Sequence, residues 1–121
     1  MLIKYAKNKS SYKTTDGSDI YEILNSKNDQ IKVPYSMAIA EVKPFSRTKN
    51  HYLKYAEVYY ILQGTGLMTV EKKSATISEG DAVFIPPLAS QFIENKENKI
   101  LRFMAIVSPP WKKEIDFVIN R

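Results

Sequence analysis

The chain contains no cysteine. Disulfides and thiolate-held metals are therefore excluded, and the redox state of its compartment is left open. Histidine is almost as scarce: His51 is the only one, so the chain holds a single imidazole with which to ligate a metal or move a proton near neutral pH. No apolar run approaches the length of a membrane span, and the N-terminal MLIKYAKNKSSYK lacks the apolar stretch of a secretory signal. The expectation is a cytoplasmic protein with no membrane partner. Basic runs are also missing. Lys and Arg number 18 against 13 Asp and Glu, a net charge of +5, but the lysines are scattered among Asn, Glu and Ser. That pattern reads as a solvated surface, and no basic segment is interleaved with stacking aromatics, so nucleic acid is not expected as a partner. The excess of positive charge leans towards an anionic small molecule.

Turn signals punctuate the chain densely, at Asp16-Gly17-Ser18, 25–29, Val33-Pro34, Gly64-Thr65-Gly66, Glu79-Gly80-Asp81, Pro86-Pro87 and Pro109-Pro110. Between them lie segments of strand length and composition: 36–42, 57–62, 67–71, 82–85, 91–94 and 100–107. Only 20–24 reads as a short helix. Many short strands separated by Gly and Pro turns predict an all-β sandwich or barrel, and 121 residues suffice for one domain with its own core. The domain is expected to run over 1–121, with the barrel core at about 35–108 and both terminal segments packed on it.

The run Glu57-Val58-Tyr59-Tyr60-Ile61-Leu62 is apolar on both faces after its first residue, and 100–107 behaves similarly. A two-sided apolar strand predicts burial between sheets or under a partner subunit, which makes a homodimer the expected assembly. Ile115, Phe117 and Ile119 alternate with other residues, as a terminal strand or an interface segment would.

Strand alternation puts His51, Leu53, Tyr55 and Glu57 on one face if no bulge intervenes. Here the chain resembles the cupin superfamily. The family's first motif runs His-x-His, three or four residues, Glu, six residues, Gly; His51, Leu53, Glu57 and Gly64 fall on those places. The second runs Gly, five residues, Pro-x-Gly, two residues, His, three residues, Asn; Gly80, Pro86, Leu88, Gln91 and Asn95 fall on them. The resemblance implies a double-stranded β-helix, or jelly-roll barrel, with a small-molecule site inside it. In metal-binding cupins three histidines and the glutamate converge on a divalent metal. Leu53 and Gln91 replace two of those histidines, and leucine cannot ligate. The resemblance thus implies at most one weakly held divalent metal (manganese, iron, nickel or zinc) on His51, Glu57 and Gln91. Two histidines and a carboxylate, the usual minimum for non-haem iron, are not available.

Each of these residues has more than one reading. His51 is a metal ligand, a general acid/base, or a neutral lumen histidine bonded to Glu57 or a tyrosine. Glu57 is either a buried carboxylate, which must be paired, metal-bound or protonated, or a strand-end carboxylate near solvent. Gln91 can orient a ligand but cannot titrate, and Asn95 reads as a turn residue. Tyr55 stands close enough to add a phenol, whereas Tyr59, Met37, Met68 and Met104 read as core and Trp111 as a seal on the barrel base. Lys43, Lys54 and Arg102 are cations that could meet an anion at the barrel mouth. Arg102 interrupts an apolar strand, either for ligand binding or for an outward salt bridge. Two functions follow. One is an isomerase or lyase for a sugar-like or carboxylate substrate, with Glu57 and His51 transferring protons, metal-assisted or metal-free. The other is a non-catalytic binding or sensing module with a degenerate metal site.

Overall fold

The computed structural model describes residues 1–6, 12, 13 and 16–120. The strands are β1 (Tyr12–Lys13), β2 (Asp19–Leu24), β3 (Ser36–Val42), β4 (His51–Leu53), β5 (Ala56–Gln63), β6 (Thr65–Val70), β7 (Lys73–Ser78), β8 (Ala82–Ile85), β9 (Gln91–Glu94), β10 (Leu101–Ser108) and β11 (Asp116–Val118). A 3₁₀ turn, Lys113–Ile115, leads into β11. Six strands form one antiparallel sheet in the order β1-β2-β3-β10-β5-β8, and five form the other in the order β11-β4-β9-β6-β7. The chain is thus a jelly-roll barrel of two facing sheets. Among the described residues no helix is long and apolar enough to cross a membrane.

Alternation fills the space between the sheets. Along β5, Glu57, Tyr59 and Ile61 are buried while Val58, Tyr60 and Leu62 face outward. Tyr59, Ile61 and Phe103 from the larger sheet meet Met68, Ile77 and Ile93 from the smaller one in a single core. A second cluster of Leu53, Val107 and Ile115, with Tyr55 and Trp111 packed against it, closes one end.

Several expectations are corrected here. Residues 20–24 form part of β2 and not a helix, pairing antiparallel with β3. Five residues are too few to nucleate a helix unaided, and the open edge of β3 offers their backbone partners. The strand β7 escaped the reading because its side chains are exposed apart from Ile77, which leaves no apolar periodicity. The outer face of β5 is not buried in the single chain: Tyr60 is 44% exposed, and Phe84 on neighbouring β8 is 63% exposed. The C-terminal alternation resolves as β11, paired with β4.

The turn residues follow their backbone conformations, with one substitution of means. Gly64 has φ of +87°, as its hairpin requires. Gly66 does not serve the turn. A Cβ there would lie 2.8 Å from Leu101 Cδ2 and 3.0 Å from Ile93 Cδ1, so its reason is close packing between sheets. Pro86 follows directly on the end of β8. Leu88, at the place where the cupin motif has glycine, nevertheless adopts φ of +71°, a left-handed conformation that a branched side chain occupies at a cost of about 1–2 kcal/mol. Its N–H donates to the Leu53 carbonyl at 2.7 Å, which holds the turn in that shape, and its side chain is exposed. Leu88→Gly is therefore expected to relieve strain at little loss of packing. Part of the gain is offset by the extra freedom of glycine in the unfolded chain. The urea midpoint should rise by the equivalent of a few tenths to about 1 kcal/mol; a fall would mean that the Leu88 side chain supplies contacts that outweigh the strain.

Candidate functional site

β4 and β5 are neighbours in sequence but belong to different sheets, because the chain crosses over at Lys54 and Tyr55. His51 and Leu53 thus point inward from the smaller sheet, and Glu57 points inward from the larger one. β9 pairs with β4 so that Gln91 lies opposite His51, and this pairing carries Gln91 to within reach of Glu57 across the barrel. Gln91 Nε2 donates to Glu57 Oε1 at 2.8 Å. All three residues are buried: His51 is 3% exposed, Glu57 7% and Gln91 1%.

Burial dominates the chemistry of Glu57. It pushes the carboxyl up to about 8, helped by the negative charges of Asp16 and Asp116 and opposed by the Gln91 hydrogen bond. At neutral pH the group is mostly a neutral acid. Since Oε1 accepts from Gln91, the proton belongs on Oε2. The Tyr59 phenol is also pushed well above its ordinary value, by burial first and then by the charge of Glu57, and stays protonated.

The imidazole makes other contacts than those expected. Its Nδ1 lies 2.8 Å from the Lys49 carbonyl oxygen, which can only accept, so Nδ1 carries a hydrogen. Nε2 lies 3.7 Å from Asp16 Oδ2. His51 and Glu57 do not hydrogen-bond to each other; the sheet crossing gives each a different partner. Asp16 is held by the turn that carries it, its Oδ1 accepting from Ser18 N at 2.9 Å and Ser18 Oγ at 2.7 Å. Asp116 sits at the start of β11, where Oδ2 accepts from Trp111 Nε1 at 3.2 Å. Trp111 is itself anchored, its N–H donating to Ser36 Oγ at 2.8 Å and its carbonyl accepting from Asn25 Nδ2 at 2.9 Å.

His51, Glu57, Asp16, Asp116, Tyr59 and Trp111 share the wall of one internal cavity. The volume open to the centres of water molecules is about 60 Å³. One water needs roughly 10–15 Å³ on that measure, so the cavity suits a few waters or a ligand of a few heavy atoms. Sequence reasoning placed His51, Glu57 and Gln91 together but missed Asp16 and Asp116. The available signals were the Asp-Gly-Ser turn and the polar position within the C-terminal alternation. Tyr55 and Arg102 are not part of the wall. Tyr55 packs at the end of the barrel, where the crossover turns it away from Glu57. Arg102 lies between the inward residues Leu101 and Phe103, so it faces outward, and its Nε is 3.4 Å from Glu41 Oε2. Asn95 is a staple: its Nδ2 donates to the carbonyls of Val42, Lys43 and Lys99, and its Oδ1 accepts from Glu97 N.

The reduced ligand set does not fit a resident metal as these residues stand. Among the described residues no three His, Cys, Asp or Glu side chains gather closely enough to hold a metal ion. Gln91 turns its NH₂ group, not its oxygen, towards Glu57. Leu53 is buried in the apolar end cluster.

Comparison with known proteins agrees with the barrel. The family described as Cupin domain matches residues 38–107. The uncharacterized protein MJ1618 of Methanocaldococcus jannaschii is 39% identical over 105 residues, which cover 85% of this chain and 82% of that one. Among solved structures, the polyketide cyclase RemF of Streptomyces resistomycificus is similar with a TM-score of 0.82 at 12% identity, over 100% of this chain and 87% of that one. Oxalate decarboxylase of Lactobacillus farciminis, in a formate complex, is similar with a TM-score of 0.81 at 22% identity. That likeness covers 94% of this chain but 34% of the decarboxylase, so the chain spans about a third of its length. At such identities the solved structures speak for the fold alone. The family match, which spans more than half the residues, carries the assignment: the chain belongs to the cupin family.

Proposed function

We propose that this cupin binds a small molecule in its barrel cavity and exchanges a proton with it at Glu57, without a resident metal. The observation that carries this reading is the Glu57 carboxyl, buried in the cavity wall and pushed up to about 8 by that burial. A carboxylic acid poised near neutral pH is matched to donating and accepting a proton in turn. Gln91 fixes one oxygen of the carboxyl and so keeps the transferable proton on the other. Tyr59 and the apolar wall limit the entry of bulk water. Isomerase and lyase reactions are the classes that need such a group, because both move a proton at carbon. Two structural relatives, a polyketide cyclase and an oxalate decarboxylase, are consistent with a catalytic barrel.

The replacement of two ligand places by Leu53 and Gln91 favours a second reading, a binding module in which no bond changes. The two differ at one residue. An enzyme loses turnover on Glu57→Gln with its fold intact, whereas a binder retains most of its affinity.

The expected assembly is a homodimer through the outer face of the larger sheet. Val58, Tyr60, Leu62, Phe84, Met104 and Ile106 lie on neighbouring strands of that face, and several are strongly exposed. An apolar face of this extent, running from β10 to the edge strand β8, suits a self-complementary, two-fold contact.

Three measurements test these readings. The first is urea stability against pH, for the wild-type chain and for Glu57→Gln. The native carboxyl keeps its proton up to about 8, whereas the unfolded chain releases it near the ordinary 4.5. The contribution of this group is therefore fully present below pH 4.5 and is lost as pH rises through 8, with a slope of at most about 1.4 kcal/mol per pH unit. Glutamine has the shape of the neutral acid and does not titrate. The stability of Glu57→Gln relative to wild type should climb with pH by up to a few kcal/mol; parallel curves would sink the neutral-acid assignment. The second measurement is elemental analysis of untagged protein after exposure to manganese, iron, nickel and zinc. Well under one metal per chain is expected, and about one per chain, lost on His51→Ala, would restore the metal reading. The third is sedimentation, in which the wild type should run as a dimer and Tyr60→Lys as a monomer. A monomeric wild type at high concentration would exclude the proposed interface.

A further inference from the structure

The net charge of the chain points to an anionic ligand, but the cavity wall has the opposite character. Of the described residues that line it, four are carboxylic, Asp16, Glu22, Glu57 and Asp116, and none is lysine or arginine. Asp16 and Asp116 are held by partners of their own, yet their charges still bear on Glu57 and disfavour a further negative charge there. Gln91 spends its amide hydrogen on Glu57, and its Oε1 is buried with no hydrogen-bond partner. Gln91 itself lies behind Glu57 and is not part of the cavity wall. The remaining wall includes the aromatic rings of Tyr59, Phe103 and Trp111. The first two are tilted against each other with centroids 4.2 Å apart, and aromatic rings are better neighbours for a cation than for an anion.

Resting on the reading of this cavity as the functional site, we propose that its ligand is a small cationic amine, a hydrogen-bond donor of a few heavy atoms. The ammonium group lies among the carboxyl groups of the wall, Asp16, Glu22, Glu57 and Asp116, and its short apolar stem lies against the aromatic side chains. The cavity size sets the upper limit, since the space open to water centres is about 60 Å³. Sugars and dicarboxylates are disfavoured on two separate grounds, bulk for the first and charge for the second.

Three probes of nearly equal shape and different charge test this at pH 7: propylamine, 1-propanol and propionate, each titrated calorimetrically into the full chain. Propylamine is expected to bind at least tenfold more tightly than either of the others. In Asp116→Asn the ratio of propylamine to propanol affinity should fall about fivefold or more. Asparagine can keep the bond from Trp111 through its amide oxygen, and a thermal melt checks that the fold survives. If it does not, Asp16→Asn serves as the second variant with the same expected loss. Tighter binding of propionate, equal binding of all three probes, or no binding of any at high millimolar concentration would overturn the proposal. The pH dependence of wild-type and Glu57→Gln stability needs no ligand. A cavity that rejects amines while that dependence holds removes only the ligand class, and loss of both removes the functional site itself.

Discussion

A single hydrogen bond between neutral amide and carboxyl, Gln91 Nε2 to Glu57 Oε1, joins the two sheets through the middle of the barrel. β5 brings the carboxyl from one side and β9 brings the amide from the other, so the bond forms only once the sheets have closed. An imidazole at position 91 could carry a positive charge and keep Glu57 ionised. An amide cannot. With no cation on its hydrogen-bonding partner and with Asp16 and Asp116 nearby, the carboxyl resolves its burial by keeping its proton. The protonation state at the site, the orientation of Gln91 and the poor fit to a divalent metal all depend on that contact.

The framework of the barrel and its chemistry have separated in this chain. Leu88 keeps the left-handed backbone of the motif glycine it replaces. Asn95 makes its full set of bonds to Val42, Lys43, Lys99 and Glu97. Leu53, at a place where metal-binding cupins have a ligand, instead packs with Val107 and Ile115 and helps to close the barrel end. Framework positions answer to backbone geometry, which the fold imposes whatever the ligand. Ligand positions answer only to the site, so they change without cost to the barrel and convert to core or to hydrogen bonding.

The same distinction explains what could be read from the residues. Strands β3, β5, β8, β9 and β10 were legible because apolar alternation and Pro or Gly turns mark them, and their bounds lie within about two residues of the expected ones. The spacing of the two motifs brought His51, Glu57 and Gln91 to one place. β7 was not legible, because a strand with one buried side chain carries no period. β2 was mistaken for a helix because its only signal was tertiary, the free edge of β3. Asp16 and Asp116 reach the cavity from a turn and from the terminal strand, at sequence distances that no local pattern connects. Tyr55 was lost to a crossover that breaks the alternation, and Arg102 to an outward position that an ion pair with Glu41 stabilises.

Net charge and the charge of the cavity wall diverge for a related physical reason. The excess of +5 is a sum over the whole chain, dominated by lysines in water, where screening confines each charge to about 10 Å or less at physiological salt. The barrel interior is shielded from that ionic atmosphere, and there the local carboxylates act at short range in a low dielectric. A distant surface lysine changes the potential at Glu57 far less than Asp16 or Asp116 does. A positively charged protein can therefore enclose a cavity of negative character. What a buried site selects is decided by the few groups in its wall, and here those include four carboxyl groups and three aromatic side chains.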